Sequence, residues 1–409
     1  MKKTIFLYID AFRYDYLKYT PFLNGLAEQR LRGNLRVEPM HQFEFTIFSG
    51  VSPKSHKFWA WYCFNPEQSP YRWIWPWVWI LKAIDNKYLR DLFSYGTALL
   101  MYLRGKTRFV KIGAIPWQRA RFFSAISDKS FIDRSPMEWP MLFDILRQNN
   151  FSFVALEWPL VGKSQGVSLR PWLKKEKNIF DYFERELKKN DFVFAHFVRL
   201  DTLMHRYGLE NEKVIDYLRR LDREINEFIG LIKREYPEIN IIVSSDHGMV
   251  EIKEKIDILK EISGKGLQEG KDFVVFLDAT MARFWAKEDK RQELKDILLK
   301  IPNGRLYSSD NFKDLGIYYD REVAGDLLFL ADSGVLISPN YLDGSKEVKA
   351  MHGYKPEGNE LDGIFLVNGQ AVSKKEIKDI QLIDILPTIL SLLKLPIPGY
   401  CRGRNLLYE

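Results

Sequence analysis

One short stretch constrains the fold more than any other part of this chain. Ile241, Ile242 and Val243 form an apolar, β-branched run that ends abruptly in Ser244-Ser245-Asp246-His247-Gly248. Such a run is typical of a buried parallel strand, and ligands collect at the carboxyl ends of these strands. Asp246 supplies an oxygen, His247 supplies a nitrogen, and Gly248 lets the backbone turn away sharply. The same pattern also fits an ordinary polar strand end, so its meaning depends on other segments.

Strands and helices alternate on both sides of this stretch. Apolar runs predict strands near residues 4–9, 151–156, 192–198, 273–277, 282–285, 326–331, 334–337 and 363–367. Helices are predicted near residues 21–29, 141–148, 179–188, 212–235, 290–299 and 382–393. The alternation predicts an α/β fold, with a mainly parallel sheet covered by helices on both faces.

Two regions interrupt this alternation and predict a division of the chain. We expect a core made of residues 1–57, 137–250 and 350–409. Residues 58–136 are an aromatic-rich insertion, and residues 251–349 read as an α+β cap insertion. A length of 409 residues suits one large domain with insertions of this kind.

Composition limits the partners and the compartment. The net charge of +7 favours anionic partners, but the basic residues read as scattered, so we expect no specific nucleic-acid binding. Cys63 and Cys401 are far apart, which suits a reducing compartment. The apolar run 4–9 imitates a signal peptide, but it is short and ends in Asp10, with no cleavage site behind it. We therefore expect a cytoplasmic protein, or one held peripherally at a membrane surface.

Three further segments offer metal ligands that match Asp246 and His247. Asp10 closes the first strand, Asp201 and His205 share one face of a helical turn, and His352 lies in a loop. Taken singly, each also fits a role without a metal: Asp10 as a helix cap, Asp201 and His205 as a surface pair, and His352 as a surface histidine. Because parallel strands end at one edge of a sheet, we expect these side chains to converge. Mixed nitrogen and oxygen ligands predict two divalent cations, Zn²⁺ first, with Mn²⁺ or Fe as alternatives.

The order of these motifs resembles the alkaline phosphatase superfamily, and within it the type I phosphodiesterase/nucleotide pyrophosphatase family. The matching segments are Asp10 at its strand end, Ser49-Gly50-Val51-Ser52-Pro53-Lys54-Ser55-His56, Asp201 to Gly208, Asp246-His247-Gly248-Met249, and Met351-His352-Gly353. The resemblance implies that Asp201, His205 and His352 hold one metal, while Asp10, Asp246 and His247 hold the other. It also implies a two-metal hydrolase of phosphate esters, most of all diesters.

One position departs from the family pattern. The hydroxyl nucleophile of the family usually lies ten residues before the glycine of the Gly-x-x-Pro-x-x-His segment, and here that residue is Met40. Methionine neither attacks phosphorus nor binds a hard cation well. Thr46, then His41 or Glu44, are the candidate replacements. Attack by metal-bound water and loss of activity are the remaining alternatives.

Two other histidines carry no predicted chemistry. We interpret His56 as a structural residue that supports its loop, and His196 as a histidine within a strand. The alternative activities on this scaffold are those of a phosphomonoesterase, a phosphotransferase, a mutase or a sulfatase. The chain has no Cys-x-Pro-x-Arg segment, which argues against a sulfatase. A different class of hypothesis is a catalytically silent, metal-stabilised binder of an anionic glycolipid or membrane.

The aromatic insertion leaves three interpretations open. Its centre is Trp73-Ile74-Trp75-Pro76-Trp77-Val78-Trp79, which is unusually apolar for a surface segment. Residues 58–123 form a cap packed on the core, a peripheral membrane contact, or a lid beside the site for a lipid-linked substrate. Lys82, Lys87 and Arg90 follow closely and suit anionic lipid. A nucleotide is the other substrate class that the resemblance implies.

Overall fold

The structure is a computed structural model. It describes residues 2–83, 115–126, 135–156, 177–317, 320–342 and 347–408, together with positions 89, 92, 93 and 96. Lys87, Arg90 and much of the predicted aromatic insertion therefore lie outside the described residues. Within those ranges, no helix has the length and apolar character that crossing a bilayer requires.

The described strands and helices follow the predicted alternation. The strands are β1 (Thr4–Ile9), β2 (Leu31–Arg36), β3 (Tyr62–Phe64), β4 (Phe123–Ala125), β5 (Phe153–Leu156), β6 (Phe192–Phe197), β7 (Asn240–Ser244), β8 (Val250–Glu251), β9 (Glu254–Ile256), β10 (Phe273–Leu277), β11 (Met281–Ala286), β12 (Gly304–Ser308), β13 (Leu327–Ala331), β14 (Val335–Ile337), β15 (Ala350–Met351), β16 (Gly363–Asn368) and β17 (Lys375–Gln381). The α-helices are α1 (Pro21–Gln29), α2 (Glu44–Ser49), α3 (Pro53–His56), α4 (Val78–Ala83), α5 (Trp117–Ala120), α6 (Leu142–Gln148), α7 (Lys177–Leu187), α8 (Arg199–Tyr207), α9 (Glu212–Glu235), α10 (Ile258–Ile262), α11 (Arg291–Leu298), α12 (Arg321–Ala324) and α13 (Ile385–Leu392). Short 3-10 helices lie at Tyr14–Tyr19, Arg72–Trp77, Glu288–Lys290, Phe312–Leu315 and Leu382–Asp384.

A seven-stranded sheet in the order β17-β2-β16-β7-β1-β6-β5 forms the centre of the fold. All of its neighbouring pairs are parallel except the two made by β16, which runs antiparallel to β7 and β2. The predicted mainly parallel α/β sheet is therefore confirmed. Strand β1 lies between β6 and β7, so the ends of these three strands are adjacent.

The central strand is buried on both faces. Phe6 and Tyr8 of β1 belong to one apolar cluster, while Ile5, Leu7 and Ile9 belong to the cluster on the opposite face. This alternation follows from the two-residue repeat of a strand. It explains why the run 4–9 is apolar throughout rather than at every second position.

A second, four-stranded sheet in the order β10-β11-β13-β12 is antiparallel throughout. It lies within the predicted cap insertion 251–349, and the short β3–β4 pair lies within the predicted aromatic insertion 58–136. The division into a core and two insertions stays a prediction. The tip of the β10–β11 hairpin carries Thr280, whose hydroxyl lies 3.4 Å from Nε2 of His41 and 3.3 Å from the carbonyl oxygen of Gly353. The second sheet thus contacts the loop that bears His352.

Candidate metal centre

Five of the six predicted ligands form two groups of three at one edge of the central sheet. Asp10, Asp246 and His247 offer ligand atoms that lie within 4.8 Å of one another. Asp201, His247 and His352 form a second group under the same criterion. The sixth ligand, His205, adjoins this second group, because its Nε2 lies 3.2 Å from Oδ1 of Asp201. The predicted convergence is present, and His247 lies close enough to serve either position.

Strand topology explains how residues so far apart in sequence meet. Asp10 directly follows β1 and Asp246 follows the adjacent β7, so their carboxylates emerge side by side. Strand β6, on the other side of β1, leads into α8, which carries Asp201 and His205 on one face. The short β15 pairs with β8, and this pairing places His352 beside His247, with ring centroids 3.8 Å apart.

Hydrogen bonds fix the orientation of two imidazoles. Nδ1 of His205 donates to the carbonyl oxygen of Ala350 at 2.8 Å, and Nδ1 of His247 donates to that of Gly248 at 2.8 Å. Each ring therefore turns its Nε2 towards the neighbouring carboxylates. Metal-binding histidines usually show this arrangement, because the second nitrogen holds the ring in place.

Backbone amides hold the carboxylate of Asp246, and the three carboxylates of the site repel each other. Oδ1 of Asp246 accepts hydrogen bonds from the backbone amides of Ala11 and His247, both at 3.0 Å, which leaves Oδ2 towards His247 Nε2 at 3.4 Å. Burial, and then the carboxylates of Asp246 and Asp201, raise the pKa of Asp10 well above its usual range. Burial would also raise the pKa of Asp201, but the imidazoles around it, His205 first, lower that pKa.

The donor set fits divalent cations. Burial, and then the neighbouring His247 and His205, lower the pKa of His352 well below its usual value, so this imidazole is neutral and can act as a ligand. Oδ1 of Asp201 is buried, and Nε2 of His205 lies 3.2 Å from it. Three carboxylates that repel each other, with imidazole nitrogens among them, form a site rich in both negative charge and metal-ligand atoms. Two cations would balance this charge.

The three candidates for the missing nucleophile occupy different positions. Oγ1 of Thr46 lies 2.9 Å from Nε2 of His56, inside α2, and no hydrogen bond joins Thr46 to the ligand side chains in the described part of the chain. His41 is buried against Thr280, and burial lowers its pKa to about 3. Glu44 opens α2 and is partly exposed, and its charge raises the pKa of Asp10. Of the three, Glu44 combines access to solvent with proximity to Asp10.

The position of the family nucleophile is filled by apolar side chains. Met40 is fully buried, and Phe43, at the start of α2, places its ring 4.9 Å from the ring of His247. His56 is structural, as expected: besides Thr46 it contacts the backbone amide of Phe58, which donates to its Nδ1 at 2.9 Å. The helix start thus presents no hydroxyl where the family usually has one.

Sequence reasoning missed the role of His196. This residue does lie in strand β6, as expected, but its Nε2 is 3.1 Å from Oδ2 of Asp10. It pairs in register with Tyr8 on β1, two residues before Asp10. A histidine within an otherwise apolar strand, next to a strand that ends in aspartate, is the sequence signal for this contact.

The chain belongs to the type I phosphodiesterase / nucleotide pyrophosphatase family, whose model matches residues 4–355. It is 24% identical over 202 residues to human ectonucleotide pyrophosphatase/phosphodiesterase family member 5, and the match covers 48% of this chain and 40% of that protein. It is 21% identical over 240 residues to rat family member 7, over 56% of this chain and 53% of that protein. The venom phosphodiesterase of Naja atra is 25% identical over 233 residues, which is 52% of this chain and 26% of that protein. The chain thus spans about a quarter to a half of the length of these relatives.

Solved structures show the same fold. Murine ectonucleotide pyrophosphatase/phosphodiesterase 5, solved as an inactive variant in complex with AMP, superposes with a TM-score of 0.72 at 17% identity, over 100% of this chain and 99% of that one. The human protein 5 superposes with a TM-score of 0.70 at 16% identity, covering 99% and 98%. The predicted family and fold class are therefore confirmed.

Proposed function

We propose that this protein is a metal-dependent hydrolase of phosphate diesters, with a phosphodiesterase or nucleotide pyrophosphatase activity. The observation that carries the proposal is the convergence of Asp10, Asp201, Asp246, His247 and His352 into two ligand groups that share one imidazole. Membership of a phosphodiesterase family supports it independently.

We assign Asp201, His205 and His352 to one cation, and Asp10, Asp246 and His247 to the other. Nitrogen and oxygen ligands in this proportion favour Zn²⁺, with Mn²⁺ or Fe as alternatives. Two bound cations would neutralise the phosphoryl oxygens and stabilise both the attacking and the leaving oxygen. The imidazole of His247 lies between the two positions, so its loss is expected to affect both.

The position of Glu44 supports attack by water rather than by a protein hydroxyl. A water oxygen forms the new bond to phosphorus, and the water proton passes to the Glu44 carboxylate. The ester bond breaks, and the leaving alkoxide takes up a proton from solvent. Glu44 is partly exposed and interacts with Asp10, whereas Thr46 is committed to His56. Met40 and Phe43 fill the usual nucleophile position with apolar side chains. No phosphorylated enzyme forms on this route.

The substrate class follows from the relatives and the insertion. Because a structural neighbour was solved with AMP, a nucleotide ester is the first substrate to test. The exposed tryptophans of the aromatic insertion favour a lipid-linked phosphodiester as the second. Both share the phosphodiester that the two cations would bind.

Hydrolysis of bis-p-nitrophenyl phosphate, with Zn²⁺ or Mn²⁺ and with or without a chelator, tests the proposal. We expect metal-dependent turnover that Asp201→Asn and His352→Ala abolish. Glu44→Gln should lower turnover by about 10²–10⁴-fold, the usual contribution of a general base. Thr46→Ala is the matched control within the same helix and should retain turnover. Loss of activity in Thr46→Ala with full activity in Glu44→Gln would instead identify Thr46 as the nucleophile.

Met40 favours a second candidate function. A buried methionine at the nucleophile position is also what a silent, metal-stabilised binding protein would carry. Absence of turnover with diester, monoester and sulfate substrates, in a protein that still binds Zn²⁺, would support this candidate. Turnover of a monoester alone would instead indicate a phosphomonoesterase on the same scaffold.

A further inference from the structure

The aromatic insertion divides into a buried base and an exposed edge. Trp59 and Trp117 are fully buried in the main apolar cluster. Trp73, Trp77 and Trp79 are instead 52%, 57% and 73% exposed. A tryptophan is costly to leave in water, because it carries a large apolar surface. The two halves of the insertion therefore have different roles, and the interpretation as a packed cap accounts only for the base.

The exposed edge is attached firmly to the base. The ring of Trp73 stacks on Phe93 with centroids 6.1 Å apart, and Phe93 contacts the buried Trp117 edge-on at 5.3 Å. Val78 is buried between the exposed Trp77 and Trp79. These contacts hold the helical segment 72–83 against the fold while three indole rings face solvent. We call Trp73, Trp77 and Trp79 the tryptophan edge.

The positive charge of the chain is concentrated in the same region, contrary to the scattered distribution expected from the sequence. In sequence, residues 72–121 contain ten lysines and arginines against two acidic residues, a net charge of +8, whereas the whole chain carries +7. The remaining residues are therefore close to neutral. Arg119 is paired with Glu269, and six of the other basic residues lie outside the described residues. Arg72, at the start of the segment, is exposed beside Trp73. A large exposed apolar edge within a strongly basic segment favours a binding partner that has an apolar interior and an anionic surface.

We propose that the tryptophan edge docks the protein on an anionic lipid bilayer. Indole rings partition to the headgroup boundary, where an apolar body meets a polar tip, and lysine and arginine near that boundary are attracted to anionic lipid. Charge complementarity selects a bilayer over a second copy of this chain, because two copies would bring two basic segments together. This inference is independent of the proposed hydrolase activity.

Flotation of the full chain with vesicles tests the proposal. We expect binding to phosphatidylcholine vesicles that contain phosphatidylglycerol, and weaker binding to phosphatidylcholine alone. The variant Trp73→Ser/Trp77→Ser/Trp79→Ser should lower the vesicle partition coefficient about tenfold or more. The matched control is Leu231→Ser/Leu299→Ser, because these leucines are 56% and 60% exposed outside the insertion. Raising the salt from about 0.1 M to about 1 M should weaken binding to the anionic vesicles, because the Debye length falls from about 10 Å to about 3 Å.

Further variants and controls distinguish the possible outcomes of the flotation experiment. Trp79→Ser alone removes the most exposed indole and should weaken binding even where the triple variant folds poorly. Equal flotation of the wild type and both variants, or no flotation with anionic vesicles, would overturn the proposal. So would a lipid-free dimer that the triple variant converts to a monomer, because a second copy would then cover the edge. Hydrolysis of a soluble diester is scored separately, so a failure of the hydrolase proposal leaves the flotation result standing.

Discussion

Nε2 of His196 lies 3.1 Å from Oδ2 of Asp10, while the other carboxylate oxygen of Asp10 lies 3.5 Å from Nε2 of His247. The aspartate is thus held between an imidazole within β6 and one in the loop that follows β7. The ring of His196 packs edge-on against Tyr8 with centroids 4.8 Å apart and is buried, and burial lowers its pKa to about 4. His196 Nε2 and Asp10 Oδ2 therefore share one buried hydrogen bond, which sets the direction of that carboxylate.

Replacing His196 should weaken metal binding without removing a ligand. We expect His196→Phe to lower the affinity for Zn²⁺ about 10–100-fold, because the ring packing is retained while the hydrogen bond to Asp10 is lost. His196→Gln keeps an N–H donor and should recover part of the affinity. Competition with a chromophoric chelator measures both values, and His56→Gln is the control for a buried histidine away from the ligands. Equal affinities in the wild type and His196→Phe would contradict this role.

Gly353 is a second residue on which the candidate site depends although it is not itself a candidate ligand. Its φ is +93°, and a Cβ added there would lie 2.5 Å from Cε1 of His41 and 3.0 Å from Oγ1 of Thr280. We expect Gly353→Ala to lower the free energy of unfolding by at least about 2 kcal/mol and to displace the adjacent His352. Chemical denaturation and zinc titration provide the two measurements. Gly230→Ala, in the open middle of α9, should instead be stabilising by about 0.5–1 kcal/mol.

Glu38 predicts a pH dependence of stability. Burial raises the pKa of its carboxyl from 4.5 to about 7, and its Oε2 has no hydrogen-bond partner among the residues that the structure describes. The stabilisation from the neutral carboxyl is fully present below pH 4.5 and is lost as the pH rises through about 7. Glu38→Gln should therefore match the wild type at low pH and exceed its free energy of unfolding by up to about 3 kcal/mol at pH 8. Urea titrations across this range test it. A constant difference, as expected for the exposed control Glu357→Gln, would refute it.

The buried pair of Arg283 and Asp278 predicts a strong coupling. Nε of Arg283 lies 3.0 Å from Oδ2 of Asp278, and Nη1 donates to the carbonyl oxygens of Tyr62 and Val323 at 2.7 and 2.8 Å. Arg283→Met should cost about 3–5 kcal/mol at pH 8, because it leaves a buried carboxylate unpaired. The double variant Arg283→Met/Asp278→Leu should cost less than the single one. Denaturation of the wild type, Arg283→Met, Asp278→Leu and the double variant measures the coupling, and additive losses would show that the two side chains act independently.

The convergence of the candidate ligands was predictable because strand ends obey a simple geometric rule. Asp10 and Asp246 each follow an apolar run, and parallel strands bring such ends to one edge of the sheet. Helix α9 was predicted with the bounds that it has, because its apolar residues recur every three or four positions over 24 residues. Long periodic segments and strand ends are therefore the features that the sequence predicts best.

Other features depend on tertiary contacts that no local pattern encodes. Strand β17 was missed because it pairs only with β2 at the edge of the sheet and is mostly exposed, so its sequence is largely charged. Strand β2 was missed although its polar residues alternate with buried ones as in a half-buried strand, because two leucines and a glycine on the buried face make this alternation short and weak. The contact between Thr280 and His41 joins the second sheet to the site across 239 residues, a distance over which sequence periodicity gives no information.

The placement of β1 between β6 and β7 has a consequence for biosynthesis. Strand β1 leaves the ribosome before both of its neighbours and can pair with them only after residues 197 and 244 have been made. His352, which completes one ligand group with Asp201 and His247, emerges later still. While it is being synthesised, the chain therefore exposes an apolar strand whose partners do not yet exist, and its candidate ligand groups stay incomplete until His352 has emerged.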